Sequence, residues 1–121
     1  MKIFYDTQKG NTEFVAKKLC EHATSIQDTT NLLDTDKVLL LTYTIGNGEI
    51  PKTTEAFLEK HGKNVCGVVS TGNIIRHPQT FGHAAVRISE RLNVPVVRIV
   101  QLKGEDQDFV EINKWIEKNS L

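Results

Sequence analysis

Near its N-terminus the chain reads Lys2-Ile3-Phe4-Tyr5, followed by Asp6-Thr7-Gln8-Lys9-Gly10-Asn11-Thr12, and these residues are the most informative about its fold. The first four residues predict a β-strand, and the apolar spacing after Thr12 predicts a helix. A loop of hydroxyl, amide and glycine residues between a strand and a helix directs several backbone N–H groups to one point, where the helix N-terminus adds partial positive charge. This loop therefore predicts a phosphate site. The alternative is a turn in which Asn11 or Thr12 only caps the helix.

The side chains of this loop have distinct expected roles. Thr7, Asn11 and Thr12 can donate hydrogen bonds to a phosphate. Gly10 can adopt backbone angles that a Cβ forbids. Lys9 either attracts the phosphate by its charge or points into solvent, and we favour solvent. The expected ligand is a phosphate held largely by neutral donors.

The rest of the chain alternates between strand and helix patterns. Further strands are predicted at 25–27, 38–43, 64–70 and 95–100, and helices at 12–20, 52–60, 80–92 and 106–118. Such alternation is typical of a parallel sheet with helices on both faces. Five strands in a chain of this length fit an α/β doubly wound fold with strand order 2-1-3-4-5, and residues 1–121 are predicted to form a single domain.

Three loops are predicted to meet at one edge of this sheet. They are the first loop (Asp6–Thr12), the second loop (Thr44–Pro51) and the third loop (Thr71–Gln79). A doubly wound sheet binds its ligand at the carboxyl ends of the strands beside the switch point, which here lies between strands one and three. The same loops are the richest in Gly, Asn and Thr, which favours a ligand site over plain turns. Tyr43, at the end of strand three, is expected to pack in the core, and the alternative is that it borders the ligand.

Charge and hydropathy exclude several classes of protein. The 121 residues include 15 basic and 15 acidic side chains, so the formal net charge is zero. A neutral chain lacks the basic excess typical of nucleic-acid binders. The longest apolar run, Val38–Leu41, is far too short to cross a membrane. We therefore predict neither nucleic-acid binding nor membrane insertion.

The cysteines and histidines indicate a reducing compartment and no metal site. Cys20 and Cys66 are far apart and form no CxxC motif. Isolated cysteines without an export signal are typical of cytoplasmic proteins. His22, His61 and His83 lack the spacing of metal ligands, so no protein-bound metal is predicted.

Several short motifs, spread over almost the whole chain, resemble those of one family. They are Tyr5-Asp6-Thr7 with Gly10-Asn11, Thr42-Tyr43-Thr44-Ile45-Gly46, Gly48-Glu49-Ile50-Pro51, Ser70-Thr71-Gly72-Asn73, Phe81-Gly82, Asn93-Val94-Pro95-Val96, and Leu102-Lys103-Gly104 with Asp108. Together they make the chain similar to the NrdI family, flavodoxin-like proteins that work with class Ib ribonucleotide reductase. No single motif would be specific, but the set is.

The resemblance implies flavin mononucleotide (FMN) as the cofactor. The FMN phosphate would lie in the first loop, and the isoalloxazine ring between the second and third loops. The residues expected at the cofactor are Thr7, Gln8, Lys9, Gly10, Asn11, Thr12, Thr44, Ile45, Gly46, Asn47, Gly48, Gly72, Asn73, Arg76 and His77. No residue is expected to be catalytic, because the redox chemistry belongs to the flavin.

The resemblance also implies a partner and a reaction. The partner is the dimetal small subunit of class Ib ribonucleotide reductase. Reduced flavin would react with dioxygen, and the resulting superoxide would travel to the dimanganese site to generate the tyrosyl radical. The chain would thus be a redox flavoprotein accessory to the reductase.

The chain departs from the family pattern where aromatic residues usually stack on the flavin ring. Asn47 stands between the two glycines of the second loop, and the third loop reads Asn73-Ile74-Ile75-Arg76-His77-Pro78. His77 or the planar Arg76 side chain could stack instead, and either could stabilise reduced flavin by its charge. The alternative is a solvated loop without fixed contacts.

Two related functions stay open. One is a general electron-transfer flavodoxin, and the other is a docking protein that has lost its flavin. A receiver domain shares the strand order but needs an acidic cluster after strand one, where Asp6 stands alone. A low-molecular-weight phosphatase needs Cys and Arg in the first loop, which contains neither. Both of these classes are excluded.

Overall fold

Five parallel strands form a sheet in the computed structural model, which describes residues 1–28 and 32–120. The strands are β1 (Lys2–Tyr5), β2 (Thr24–Ser25), β3 (Val38–Tyr43), β4 (Val65–Gly72) and β5 (Val96–Gln101). Their order is β2-β1-β3-β4-β5, and each neighbouring pair is parallel. The predicted doubly wound fold is confirmed, and its switch point lies between β1 and β3.

Helices cover both faces of the sheet. They are α1 (Asn11–Leu19), α2 (Lys52–His61), α3 (His83–Leu92) and α4 (Asp106–Asn119), with a short 3-10 turn at Gly62–Asn64. Leu39 and Leu41 of β3 belong to the core cluster that contains residues of α1 and α4, whereas Leu40 packs with residues of α2 and α3. Because successive strand side chains point to opposite faces, the continuous apolar run of β3 serves two cores at once.

Three predicted element bounds differ from the structure by two or more residues, and the others agree to within one residue. Helix α3 begins at His83 and not at Thr80, because Gly82 has a left-handed φ of 76° that cannot continue a helix. Strand β4 extends to Gly72, which pairs with β5. Strand β2 ends at Ser25 and not at position 27, because the Asp28 N–H bonds back to the Ser25 carbonyl in a turn.

The helices of the described residues are short. The longest, α4, has 14 residues, whereas a membrane-spanning helix needs about 20. None of the helices in residues 1–28 and 32–120 combines the length and apolar character needed to span a membrane.

Candidate functional site

Two adjoining cavities open at the carboxyl edge of the sheet. Their volumes are about 290 Å³ and about 260 Å³. The residues that line both are Gln8, Thr44, Gly72, Asn73 and His77. The three loops predicted from sequence therefore meet in one continuous depression beside the switch point, where doubly wound folds bind ligands.

The first loop presents the N-terminus of α1 to the first cavity. Gly10 precedes the helix with a φ of 95°, a left-handed angle that favours glycine, and its N–H donates to Thr7 Oγ1 at 3.0 Å. The first-turn amides of a helix have no acceptor within the helix, and no side chain caps α1. Because Asn11 and Thr12 line the cavity, these amides form a donor set suited to an anion.

A buried hydroxyl pair joins the first loop to β4. Thr12 Oγ1 and Thr71 Oγ1 are 2.8 Å apart, and either can donate. Both residues line the first cavity and are almost completely buried. This pair connects the first turn of α1 to the end of β4 at the floor of the cavity.

The second loop is a tight reversal that packs against α3. Ile45 and Glu49 exchange both of their backbone hydrogen bonds, at 3.0 and 2.8 Å. A Cβ on Gly48 would lie 2.8 Å from His83 Nδ1, so only glycine permits this close approach. Thr44 Oγ1 accepts a hydrogen bond from the Ala84 N–H at 3.1 Å, which ties the start of the loop to the first turn of α3.

The third loop is largely exposed and takes its shape from two amide side chains. Asn73 Oδ1 accepts hydrogen bonds from the N–H groups of Ile75 and Arg76, at 3.1 and 3.2 Å. Gln101 Oε1, at the end of β5, accepts one from the Ile74 N–H at 2.8 Å. These bonds hold Arg76 and His77 at the rim of the first cavity.

The cavities carry basic groups and, among the described residues that line them, no acidic one. Lys9, Arg76 and His77 all line the first cavity. The nearby Asp6 carboxylate is buried behind the site, where it accepts hydrogen bonds from the hydroxyls of Thr53 and Thr54. The site therefore favours an anionic ligand.

Most of the predicted site residues line one of the cavities. The first contains Thr7, Gln8, Lys9, Asn11, Thr12, Thr44, Gly72, Asn73, Arg76 and His77, and the second adds Ile45 and Gly46. Gly10, Asn47 and Gly48 line neither cavity. Gly10 and Gly48 shape their loops, and Asn47 is exposed at the tip of the second loop.

Sequence reasoning missed several lining residues. They are Tyr43, Thr71 and Leu102 in the first cavity, and Thr80, Phe81 and Gly82 in the second. Tyr43, which we expected in the core, is half-buried at the cavity wall. Burial, followed by the negative charge of Asp6, raises the pKa of Tyr43 above its usual value. The position of Tyr43 and Thr71 at the ends of neighbouring strands was the signal that could have identified them.

No metal centre accompanies this site in the described part of the chain. Among those residues, no three His, Cys, Asp or Glu side chains are grouped closely enough to hold a metal ion. Cys20 and Cys66 are both free thiols, and burial raises the pKa of Cys66.

Comparison with known protein families assigns the chain to one of them. A family sequence model described as "NrdI Flavodoxin like" matches residues 3–114. The chain belongs to the NrdI family. The chain is 34% identical over 119 residues to Protein NrdI of Bacillus licheniformis, a match that covers 98% of this chain and 88% of the relative.

Solved flavodoxin structures share the fold of this NrdI-family chain. A short-chain flavodoxin associated with a bacterial microcompartment has a TM-score of 0.77 at 19% identity, covering 96% of this chain and 93% of that one. Fusobacterium nucleatum flavodoxin, solved bound to flavin mononucleotide, has a TM-score of 0.64 at 15% identity, covering 98% and 95%. At these identities the likeness establishes the flavodoxin fold alone.

The residues of the site fit FMN. Each cavity alone is slightly smaller than the roughly 300–1,000 Å³ of most ligand pockets, but the two adjoining cavities together offer the space that a small cofactor needs. Open first-turn amides and the Thr7 and Asn11 side chains suit a phosphate dianion. The second cavity, with Ile45 and Phe81 in its lining, offers apolar surface for a flat ring system.

Proposed function

We propose that this chain is an FMN-binding protein that activates class Ib ribonucleotide reductase. The observation that carries the proposal is the continuous depression at the ends of β1, β3 and β4, which is free of lining carboxylates among the described residues. Family membership supports the same conclusion, because the flavodoxin-like fold places its ligand at this edge.

The residues divide into a phosphate end and a ring end. The first-turn amides of α1, with Thr7, Asn11 and Thr12, would hold the phosphate. The second loop, through Thr44, Ile45 and Gly46, would contact one side of the ring. Gly72, Asn73, Arg76 and His77 of the third loop would contact the other. Gly10, Asn47 and Gly48 would act through the backbone shape of their loops.

Basic side chains at the rim would favour the reduced form of the bound flavin. Arg76 and His77 stand at the rim without a lining carboxylate beside them. Positive charge favours the form of a ligand that has gained electrons. When bound and reduced, FMN would supply one electron to dioxygen to give superoxide, the proposed oxidant for assembly of the dimanganese–tyrosyl radical in the small subunit.

The proposed partner is therefore the dimanganese small subunit, and the proposed location is the cytoplasm. The two free cysteines support a reducing compartment. The exposed apolar and basic residues of the third loop, Ile75 and Arg76, lie beside the depression and would face a docked protein.

The test begins with FMN retention and continues to radical formation. The purified chain is incubated with FMN, desalted, and examined by visible absorption. The loaded chain is then reduced and mixed with manganese-loaded small subunit in air, and the tyrosyl radical is measured by electron paramagnetic resonance. We expect a shifted flavin band and a radical signal that catalase leaves intact and superoxide dismutase in excess reduces.

Each negative result selects one of the alternatives. Retained FMN without radical formation in any class Ib small subunit would contradict the activator role and favour a general electron-transfer flavodoxin. A colourless protein that never retains FMN would contradict the cofactor itself. That outcome would leave a docking protein that has lost its flavin.

A further inference from the structure

The side chain of Gln101 connects the end of β5 to the third loop. Its Oε1 accepts a hydrogen bond from the Ile74 N–H at 2.8 Å, and its Nε2 lies 3.5 Å from Asn73 Oδ1. The backbone of the same region is also joined, since the Leu102 N–H donates to the Gly72 carbonyl at 2.7 Å. The third loop is therefore attached to β5 at successive positions.

The orientation of both amide groups follows from their partners. A backbone N–H can only donate, so the Gln101 atom facing Ile74 must be the oxygen. By the same reasoning, the Asn73 atom facing Ile75 and Arg76 is an oxygen. The Gln101 amide nitrogen then faces the Asn73 oxygen, so every contact of the pair matches a donor with an acceptor.

We propose that Gln101 is a positioning residue for the cofactor site. It does not line either cavity, but through Asn73 and Ile74 it fixes the loop that carries Arg76 and His77. The residues after Asn73 in this loop, positions 74–79, are exposed and have no core packing to hold them. Without Gln101 the basic groups would keep their bonds to Asn73, including the His77 N–H to the Asn73 carbonyl at 2.9 Å, but Asn73 and Ile74 would lose the side chain that ties them to β5. This inference rests on the proposed FMN function for its ligand.

The test compares Gln101→Met with Gln101→Glu. Methionine keeps the length of the side chain but neither accepts from Ile74 nor donates to Asn73. Glutamate keeps the acceptor for the Ile74 N–H. The matched control is Gln107→Met on α4, where an exposed glutamine of the same size donates to Glu111 Oε1 at 2.8 Å, away from the site.

Two measurements distinguish the effect of Gln101 on the loop from its effect on FMN binding. In the FMN-free chain, Gln101→Met should speed amide hydrogen exchange of residues 74–76 by about tenfold, since their opening costs less. In the loaded chain, it should weaken FMN binding by about tenfold and move the flavin absorption band toward that of free FMN. Gln101→Glu should keep slow exchange at the Ile74 N–H, which it still accepts from, but not at Ile75 and Arg76, because its second oxygen faces the Asn73 oxygen. Gln107→Met should change neither measurement.

Several outcomes would overturn the proposal. Unchanged exchange in Gln101→Met would show that the side chain does not hold the loop. Faster exchange with unchanged FMN affinity and spectrum would limit Gln101 to a structural role. If the wild-type chain binds no FMN, the proposed function fails, while the exchange comparison still decides whether Gln101 fixes the loop.

Discussion

The first and third loops border the same cavity but are fixed in different ways. The first loop is short and lies between two regular elements, β1 and α1. The Tyr5 hydroxyl donates to Glu13 Oε2 at 2.9 Å across it, and Thr12 pairs with Thr71 beneath it. No helix follows the third loop directly, because the loop ends at Gln79 and α3 begins only at His83.

The two ends of the site therefore differ in how much of their shape depends on buried contacts. The first loop takes its shape from backbone and buried contacts, and Asp6 and Thr12 within it are buried. The third loop exposes Ile75 to 83% and relies on the side chains of Asn73 and Gln101. We infer a preformed anion site at the first loop and, at the third, a ring contact whose position depends on two side chains.

We expect the strongest loss of FMN affinity when a side chain is introduced at Gly10 of the first loop. In Gly10→Val a β-branched residue would occupy a φ of 95°, which costs about 1–3 kcal/mol of strain. No atom lies within 4 Å of the added Cβ, so steric overlap is not the cause. FMN affinity should fall by roughly 100-fold, measured by fluorescence titration, while the folded state persists.

Gly10→Asn is the control for this variant, because asparagine tolerates left-handed angles better than valine. It should retain most of the FMN affinity. Equal losses in the two variants would argue against backbone angle as the cause. Unchanged FMN affinity in Gly10→Val would show that the FMN phosphate does not bind in the first loop.

The next effect concerns the buried hydroxyl pair. Thr12→Val leaves the Thr71 hydroxyl without its 2.8 Å partner and should lower the free energy of unfolding by about 1–3 kcal/mol. The double variant Thr12→Val/Thr71→Val removes both polar groups and should cost less than the two single changes added together. Urea unfolding of the four proteins measures the coupling. Additive losses would mean that the pair does not act as a unit.

The first loop could be predicted from the sequence because its determinants are local. A strand, a Thr- and Gly-containing loop and a helix follow one another within residues 2–19. Strand β3 was equally clear, since its apolar run Val38–Leu41 suits a strand covered on both faces. The presence of a site at this edge of the sheet then followed from topology.

The third loop could not be predicted in the same way. Its shape depends on Gln101, 27 residues after Ile74, and single-sequence patterns do not indicate such a contact. The predicted start of α3 was wrong because Gly82 adopts a left-handed angle, and its close approach to Ile99, 2.5 Å from a Cβ placed there to Cδ1, is a long-range contact that the sequence does not indicate. Long-range contacts therefore determine the shape of the third loop and the start of α3, which the sequence pattern alone could not predict.

Removing a charge from the third loop should affect binding but not folding. Arg76 is exposed and lines the cavity, so Arg76→Ala should change the free energy of unfolding by less than about 0.5 kcal/mol. FMN affinity should fall about three- to tenfold at low salt and less at high salt, because exposed charges are screened. Arg87→Ala, an exposed arginine on α3 that lines neither cavity, is the matched control. Equal effects of the two variants would place Arg76 outside the site.

A small pH dependence of the free energy of unfolding should arise from the tyrosines, one of which, Tyr5, hydrogen-bonds to Glu13 across the first loop. Burial, then the hydrogen bond to Glu13 and its charge, raises the pKa of Tyr5 above 10.0, and the pKa of Tyr43 is raised as well. These are the two tyrosines of the chain. Above pH 10 the unfolded chain loses its phenol protons while the folded chain keeps them, so the free energy of unfolding should fall as pH rises.

Below pH 10 this contribution is fully present, and it is lost as pH rises through the folded-state pKa values. Ultraviolet absorbance should therefore show both phenols of the folded chain ionising above pH 10.0. Tyr5→Phe should cost about 0.5 kcal/mol at neutral pH, through the lost bond to Glu13, and should weaken the alkaline dependence. If Tyr5 of the folded chain ionised at its ordinary pKa, its hydrogen bond to Glu13 would not form in solution, and the first loop would depend on its buried contacts, such as that of Thr12 with Thr71.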